Sequence, residues 1–228
     1  MNETGHARAV AAEFVGTALL LAAVVGSGIM GERLAGGNVA IALLANALAT
    51  GAALVALIVT FGPVSGAHFN PVVTLVFSRG AHRGGTMAAF VAAQFAGAVT
   101  GVLLAHAMFD APLVAWSQHV RSGPSQVLSE AVATFGLLGV IASSSRRTPA
   151  AVPFAVAAYI VAAYWFTAST SFANPAVTIA RALTDTFAGI RPADVPWFIA
   201  GQAAGAASAA AFFGWLVPAE AALDERMG

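Results

Sequence analysis

The chain has 228 residues, of which 59% are hydrophobic and only 9% are charged, and its formal net charge is zero. A soluble domain carries about 25% charged residues, so this composition excludes a water-soluble globular protein and indicates an integral membrane protein. All ten basic residues are arginines, and they form no run that would indicate a nucleic-acid partner. The absence of cysteine excludes disulfides, thiolate metal sites and cysteine nucleophiles.

Six apolar stretches approach or reach the roughly 20 residues that cross a hydrocarbon core of about 30 Å. They are residues 9–30, 39–61, 86–108, 127–144, 150–168 and 195–217. The first is longer than the apolar part of a signal peptide and contains Glu13, so we predict a mature helix there. The connections are short apart from 110–123 and 184–196, and residues 1–228 are predicted to form a single domain.

Two further segments, 70–79 and 174–181, lie after the second and the fifth span. Each has about ten residues, so as a helix it rises about 15 Å and reaches half-way across a bilayer. Three spans separate the two segments, so the second half of the chain should be inverted relative to the first. The predicted fold is all-α, with six transmembrane helices and two half-helices in inverted repeats at about 8–108 and 125–217. Such repeats are typical of membrane transport proteins.

Each short segment opens on an Asn-Pro pair, and the two copies lie 104 residues apart. They comprise Asn70, Pro71 and Val72 in the first copy and Asn174, Pro175 and Ala176 in the second. A helix that begins inside a bilayer must satisfy its free backbone N–H groups; Asn is a strong N-cap, and Pro suits the first helical position. The uncharged amide can cap the helix and still offer an NH₂ donor to a cavity, so we predict that both motifs line a pore.

In these motifs the chain resembles the major intrinsic protein family, the aquaporins and aquaglyceroporins. Residues 12–17 look like the opening helix of that family, 65–74 like its first Asn-Pro-Ala loop, 93–101 like its third helix and 173–178 like its second loop. The resemblance implies an aquaporin-like fold, passive transport through a pore in each subunit, and a homotetramer in membrane lipid.

The positions of the family's narrow filter are unusual here. The family usually places Arg directly after the second Asn-Pro-Ala, where this chain has Val177, and the Asp that follows in glycerol channels is replaced by Thr178. Ungapped counting from the loops assigns the other filter positions to Thr50, Ala162 and Ser171. A filter of these residues has no ring and no charge, so we predict that it is wide.

The predicted function is a passive channel for compact neutral solutes that form hydrogen bonds. Glycerol, urea and metalloid hydroxides such as arsenite, methylated forms included, are the candidate solutes, together with water. A water-selective aquaporin is the alternative within this class. An ion-coupled secondary transporter is the alternative of another class, and a purely structural membrane protein is a third. No enzyme is predicted, because no nucleophile, base and orienting group converge in the motifs, and no cofactor or metal is expected.

Three other polar residues need a role. Glu13 and Glu130 lie inside apolar spans, where a charge is costly, and are predicted to accept hydrogen bonds from the half-helix loop of their own repeat; a proton relay is the alternative. His68 should line the vestibule or pack the loop before Asn70. With the N-terminus cytoplasmic, the arginines divide six inside against four outside, which favours this orientation with both termini cytoplasmic. The predicted location is the plasma (inner) membrane.

Overall fold

The computed structural model describes residues 3–78 and 85–217, and the regular structure in that part of the chain is helical. Six helices there are long and apolar enough to cross a membrane, and two short helices lie between them. In chain order they are α1 (Glu3–Leu34), α2 (Val39–Ser65), α3 (Pro71–Phe77), α4 (Gly85–Met108), α5 (Pro124–Arg147), α6 (Val152–Phe166), α7 (Pro175–Ala180) and α8 (Val195–Leu216). This order confirms the predicted fold class. Three arginines of the orientation count, Arg79, Arg83 and Arg226, lie outside the described residues.

The two half-helices are shorter than predicted. α3 has seven residues and α7 has six, so each rises only about 10 Å. α3 ends because the backbone becomes extended at Ser78, with ψ at 109°. α7 tightens into a 3₁₀ turn at Arg181–Leu183. Both begin as predicted, with an extended Asn as the N-cap and Pro in the first turn.

The two halves of the chain pack in the same way. α1 lies against α4 in the first half, and α5 lies against α8 in the second. A Cβ atom at Gly97 would collide with the backbone carbonyl of Phe14, and one at Gly205 would collide with that of Ala131. Glycine at these equivalent positions lets the helix backbones touch, which is how small residues promote helix packing in membranes.

The outer surface of the helix bundle is apolar. Large hydrophobic side chains are exposed along most of the long helices, among them Leu19, Leu48, Leu104, Leu128 and Phe154. Such a surface suits lipid rather than water. The structure is therefore that of an integral, multi-pass membrane protein.

Candidate pore

A cavity of about 420 Å³ lies between the helices and touches both motif asparagines. α2 and α6 run antiparallel along it and supply wall residues at different depths. At one end the wall is formed by Thr50, Tyr164 and Arg181, and we call this end the arginine mouth. At the other end it is formed by His68, Ser145 and Arg146, and we call this end the histidine mouth.

Each asparagine caps its own half-helix and also bonds to the opposite loop. The Oδ1 atom of Asn70 accepts a hydrogen bond from the Val72 N–H at 3.0 Å, and its Nδ2 donates to the Ala173 carbonyl at 2.8 Å. Asn174 mirrors this, because its Nδ2 donates to the Phe69 carbonyl at 2.8 Å. These reciprocal bonds, which the sequence did not reveal, leave one N–H of each amide for a molecule in the cavity.

Glu13 anchors the first loop. Its Oε1 accepts hydrogen bonds from the Ser65 hydroxyl at 2.6 Å and the His68 N–H at 3.0 Å. Its Oε2 accepts from the Phe69 N–H at 2.7 Å and from Nε2 of Gln94 at 2.8 Å. The carboxylate is fully buried behind the loop and does not line the cavity.

Glu130 anchors the second loop with the same pattern. Its Oε1 accepts from the Ser169 hydroxyl at 2.6 Å and the Phe172 N–H at 2.9 Å. Its Oε2 accepts from the Ala173 N–H at 2.8 Å and from Nε2 of Gln202 at 2.6 Å. With four donors around each carboxylate, neither glutamate is arranged as a proton relay.

The glutamates hold a backbone that non-glycine residues rarely adopt. Positive φ angles occur at Ala67 (49°) and Phe69 (49°) in the first loop, and at Thr170 (59°), Ser171 (52°) and Ala173 (48°) in the second. Each left-handed residue costs free energy, so the surrounding bonds must over-determine the loop. The carboxylate bonds supply that constraint and fix the carbonyls to which the asparagines donate.

Three of the four predicted filter residues lie on the cavity wall. Thr50, Ser171 and Val177 are buried and line it, and the Thr50 hydroxyl lies 3.2 Å from the Tyr164 hydroxyl. The assignment of Ala162 was wrong, because this residue is exposed and does not line the cavity. Two residues along a helix turn by about 200°, so Ala162 and Tyr164 point in nearly opposite directions.

The expectation of a filter without a ring or a charge is also wrong. Tyr164 brings an aromatic ring to the wall, and Arg181 brings a guanidinium group. Arg181 follows Val177 by four residues and therefore shares its face of the half-helix. This i, i+4 spacing was the available signal for Arg181. The choice between Ala162 and Tyr164 depends on the number of loop residues after α6, and the sequence gives no sign of that number.

Two arginines enclose the ring of Phe172. The Cζ atom of Arg181 lies 3.4 Å from the ring centroid, and that of Arg121 lies 5.1 Å from it. Nε of Arg181 donates to the Ala188 carbonyl. Arg121, from the loop before α5, donates from Nε to the Gly189 carbonyl at 2.8 Å. Burial lowers the pKa of the Arg121 guanidinium to about 10, so it remains charged at neutral pH.

At the histidine mouth, Nδ1 of His68 lies 3.1 Å from the Thr74 hydroxyl, and its ring packs edge-on against Phe90 at 5.9 Å between centroids. Val72 does not line the cavity. It is buried in a cluster with Leu138 and Ala206, so its bulk packs the half-helix against α5 and α8.

A cavity that passes two polar helix ends inside a bundle of membrane spans defines a membrane channel. The wall of the cavity agrees with a channel for uncharged molecules. It carries amide, hydroxyl and carbonyl groups and, among the described residues, no carboxylate.

Comparison with known proteins agrees with this class. The family model described as major intrinsic protein matches residues 1–152, and the chain belongs to that family. It is 54% identical over 218 residues to aquaglyceroporin AqpS of Rhizobium meliloti (strain 1021). This match covers 95% of this chain and 93% of that protein. It is 32% identical over 191 residues to aquaporin NIP2-2 of Zea mays, covering 79% of this chain and 63% of that protein.

A shorter match, 41% identical over 100 residues, relates 43% of the chain to 87% of aquaporin-2 of Equus caballus. The protein is therefore a membrane channel for small neutral solutes and not an enzyme. The alternative of an ion-coupled transporter gains no support, because the buried carboxylates of Glu13 and Glu130 are occupied by loop donors.

Proposed function

We propose that this channel is an aquaglyceroporin with a wide filter, which conducts glycerol, urea and metalloid hydroxides such as arsenite, methylated forms included, as well as water. The observation that carries the proposal is the valine at position 177, which lines a cavity of about 420 Å³ where the family usually has arginine. The relative AqpS is named an aquaglyceroporin, which supports the same class of solute.

The mechanism follows from the centre of the cavity. A solute oxygen there accepts hydrogen bonds from the free N–H groups of Asn70 and Asn174, which replace part of its hydration. Because both asparagines are donors, a water molecule between them is held in one orientation and interrupts a chain of water-mediated proton transfer. A cation meets no carboxylate on the described wall and would lose its hydration without replacement.

The test is stopped-flow light scattering on proteoliposomes with the purified protein, using gradients of water, glycerol, urea and arsenite. We expect every one of these solutes to cross at least about tenfold faster than through protein-free liposomes. Fast water flux without glycerol or urea flux would identify a water-selective aquaporin and contradict the proposal. Absence of all flux would indicate a structural role.

We also propose that residues 1–228 form one channel domain with inverted repeats at about 8–108 and 125–217, and that four copies assemble as a homotetramer with a pore in each. The matching Glu13 and Glu130 networks support the repeat. The plasma (inner) membrane, with both termini cytoplasmic, is the proposed location. The mass of the detergent-solubilised protein, corrected for bound detergent, tests the tetramer.

A further inference from the structure

The guanidinium group of Arg181 is buried, yet its terminal nitrogens donate no hydrogen bond to any residue that the structure describes. The side chain is only 2% exposed, and within residues 3–78 and 85–217 its one hydrogen bond is from Nε to the Ala188 carbonyl. Arg181 lines the cavity, so its Nη1 and Nη2 groups are available to a molecule at the arginine mouth. A buried charge with unused donors is costly and favours a ligand that supplies acceptors.

A second polar group at this mouth is also without a partner. Ser171 is 3% exposed, lines the cavity, and its hydroxyl has no hydrogen-bond partner in the described part of the chain. Ser171 directly precedes Phe172, and the Arg181 guanidinium lies 3.4 Å from the centroid of that ring. Ser171 and Arg181 therefore both line the cavity beside Phe172.

The positive charge at this mouth exceeds the negative charge. The guanidinium groups of Arg121 and Arg181 both lie over one ring, and the carboxylates of Glu130 and Asp194 are already engaged. Glu130 accepts four hydrogen bonds from its loop and from Gln202. Asp194 pairs with Arg191 at 2.8 Å and accepts from the backbone N–H of Arg121. In the part of the chain that the structure describes, the buried guanidinium group of Arg181 has no carboxylate in a salt bridge with it.

We propose that the arginine mouth contains a binding site for a small monovalent oxyanion, formed by the terminal nitrogens of Arg181 and the hydroxyl of Ser171. Two oxygens of a planar anion match the two terminal nitrogens of a guanidinium group, which makes carboxylates and nitrate the fitting class. The site lies on the wall of the conduction path, so a bound anion obstructs the passage of neutral solutes. The obstruction rests on the proposed function, whereas the binding does not.

Arg121 provides a matched control, because it is buried beside the same ring but each of its three side-chain nitrogens donates a hydrogen bond. Nε bonds to Gly189, Nη1 to the carbonyl of Ser169 and the hydroxyl of Thr170, and Nη2 to the carbonyl of Phe187. Arg121 does not line the cavity. Its guanidinium therefore braces the loops and adds charge at a distance, without contacting the anion.

Binding is tested by calorimetric titration of the detergent-solubilised protein with sodium nitrate, at an ionic strength kept constant with sodium chloride. The wild type should show saturable binding that is at least tenfold weaker in Arg181→Gln and about fivefold weaker in Ser171→Ala. Arg121→Gln should weaken it by no more than about threefold. Absence of saturable binding in the wild type, or equal binding in Arg181→Gln, would overturn the proposal. If Arg181→Gln does not fold, the Ser171→Ala comparison decides.

Obstruction is tested separately with glycerol flux into proteoliposomes that hold nitrate on both sides. Nitrate should lower the wild-type flux at least twofold relative to chloride and leave the flux of Arg181→Gln unchanged. If the wild type binds nitrate but conducts no glycerol, the proposed solute range is contradicted, whereas the proposed anion site is not. Nitrate-independent flux in the wild type would overturn the placement of the site in the path.

Discussion

Val177 and Arg181 both line the cavity at the arginine mouth. Val177 occupies the position next to the motif, and Arg181 brings a guanidinium group to the wall about one helical turn later. Tyr164 faces them from α6 and hydrogen-bonds to Thr50 at 3.2 Å. Width and charge at the arginine mouth can therefore be changed independently.

Val177→Arg should narrow the channel. The new side chain would enter the cavity one turn from Arg181, and the repulsion between the two guanidinium groups would hold it across the passage. We expect glycerol flux to fall at least about tenfold while water flux changes by less than about threefold. Val177→Ala serves as the control and should retain the wild-type ratio of glycerol to water flux. An unchanged glycerol flux in Val177→Arg would place the constriction elsewhere.

Asn70→Asp should admit cations. The aspartate can still cap α3, but it brings a negative charge to the centre of the cavity and loses the donor that binds the Ala173 carbonyl. We expect the sodium conductance measured in planar bilayers to be at least about tenfold higher than that of the wild type. Glu32→Gln, which changes an exposed charge on α1, should leave the background as it is. An Asn70→Asp channel as tight to ions as the wild type would refute the electrostatic account of the motif.

Single residues were predictable from the sequence where chemistry and spacing act locally. The asparagine caps belong to this group, because an N-cap followed by proline is a local signal. Tyr164 does not, because its position depends on where α6 ends and on how the second loop folds back, whereas the i, i+4 spacing from Val177 was an available signal for Arg181. Ungapped counting shifted the α6 position by two residues and therefore selected the wrong face of the helix.

At the scale of the elements, the glutamates connect each long helix to a half-helix. Glu130 on α5 fixes the loop before α7, and Glu13 on α1 fixes the loop before α3. Each loop contains left-handed residues that would relax without these bonds. The hydrogen bonds of the preceding loop therefore orient each half-helix.

Glu130→Gln should destabilise the second half-helix. The amide nitrogen of glutamine would face the N–H of Ala173 or Phe172, so a donor would meet a donor in a buried site. We expect a loss of at least about 1–3 kcal/mol, seen as a lower midpoint temperature of thermal unfolding and a large loss of flux. The exposed Glu32→Gln change is again the reference and should shift the midpoint little. A variant as stable and conductive as the wild type would show that the bonds are dispensable.

Gly205→Ala should separate α8 from α5. The added methyl group would meet the Ala131 carbonyl at a distance that only a shift of the helices can relieve. We expect poor assembly or a clearly lower unfolding temperature. Gly62→Ala in α2 provides the control, because its methyl group would meet no atom within 4 Å. Equal behaviour of the two variants would contradict the role assigned to close helix contact.

The long helices were predictable because a run of about twenty apolar residues has the length and hydrophobicity of a transmembrane helix. The ends of the half-helices were not, since nothing in the composition of 70–79 shows that the backbone becomes extended at Ser78. The chain likewise gives no local sign of where a bent loop will place its carbonyls. Those positions come from bonds to residues on other helices.

At the scale of the whole molecule, the natural absence of cysteine allows the orientation to be tested directly. Ser122 and Thr148 are both exposed and precede and follow α5, so they lie on opposite sides of the bilayer. With the N-terminus cytoplasmic, a membrane-impermeant maleimide should label Ser122→Cys in intact cells and Thr148→Cys only after lysis. The reverse pattern would invert the proposed orientation.

The architecture as a whole followed from three sequence features: membrane-length spans, the duplicated motif, and the odd number of spans between its copies. The cavity did not follow, because its width depends on side chains from α1, α2, α5 and α6 that meet only in three dimensions. Sequence therefore predicted the helices of the molecule better than the cavity between them.

The bond from Asn70 to the carbonyl of Ala173 joins residues 103 positions apart. A ribosome that adds about 5–20 residues per second adds Ala173 about 5–20 s after Asn70. Until Ala173 has been added, the side-chain amide of Asn70 lacks this carbonyl acceptor. Closure of the conduit is thus a late event in biosynthesis, and a truncated nascent chain would be left with an unsatisfied polar core inside the membrane.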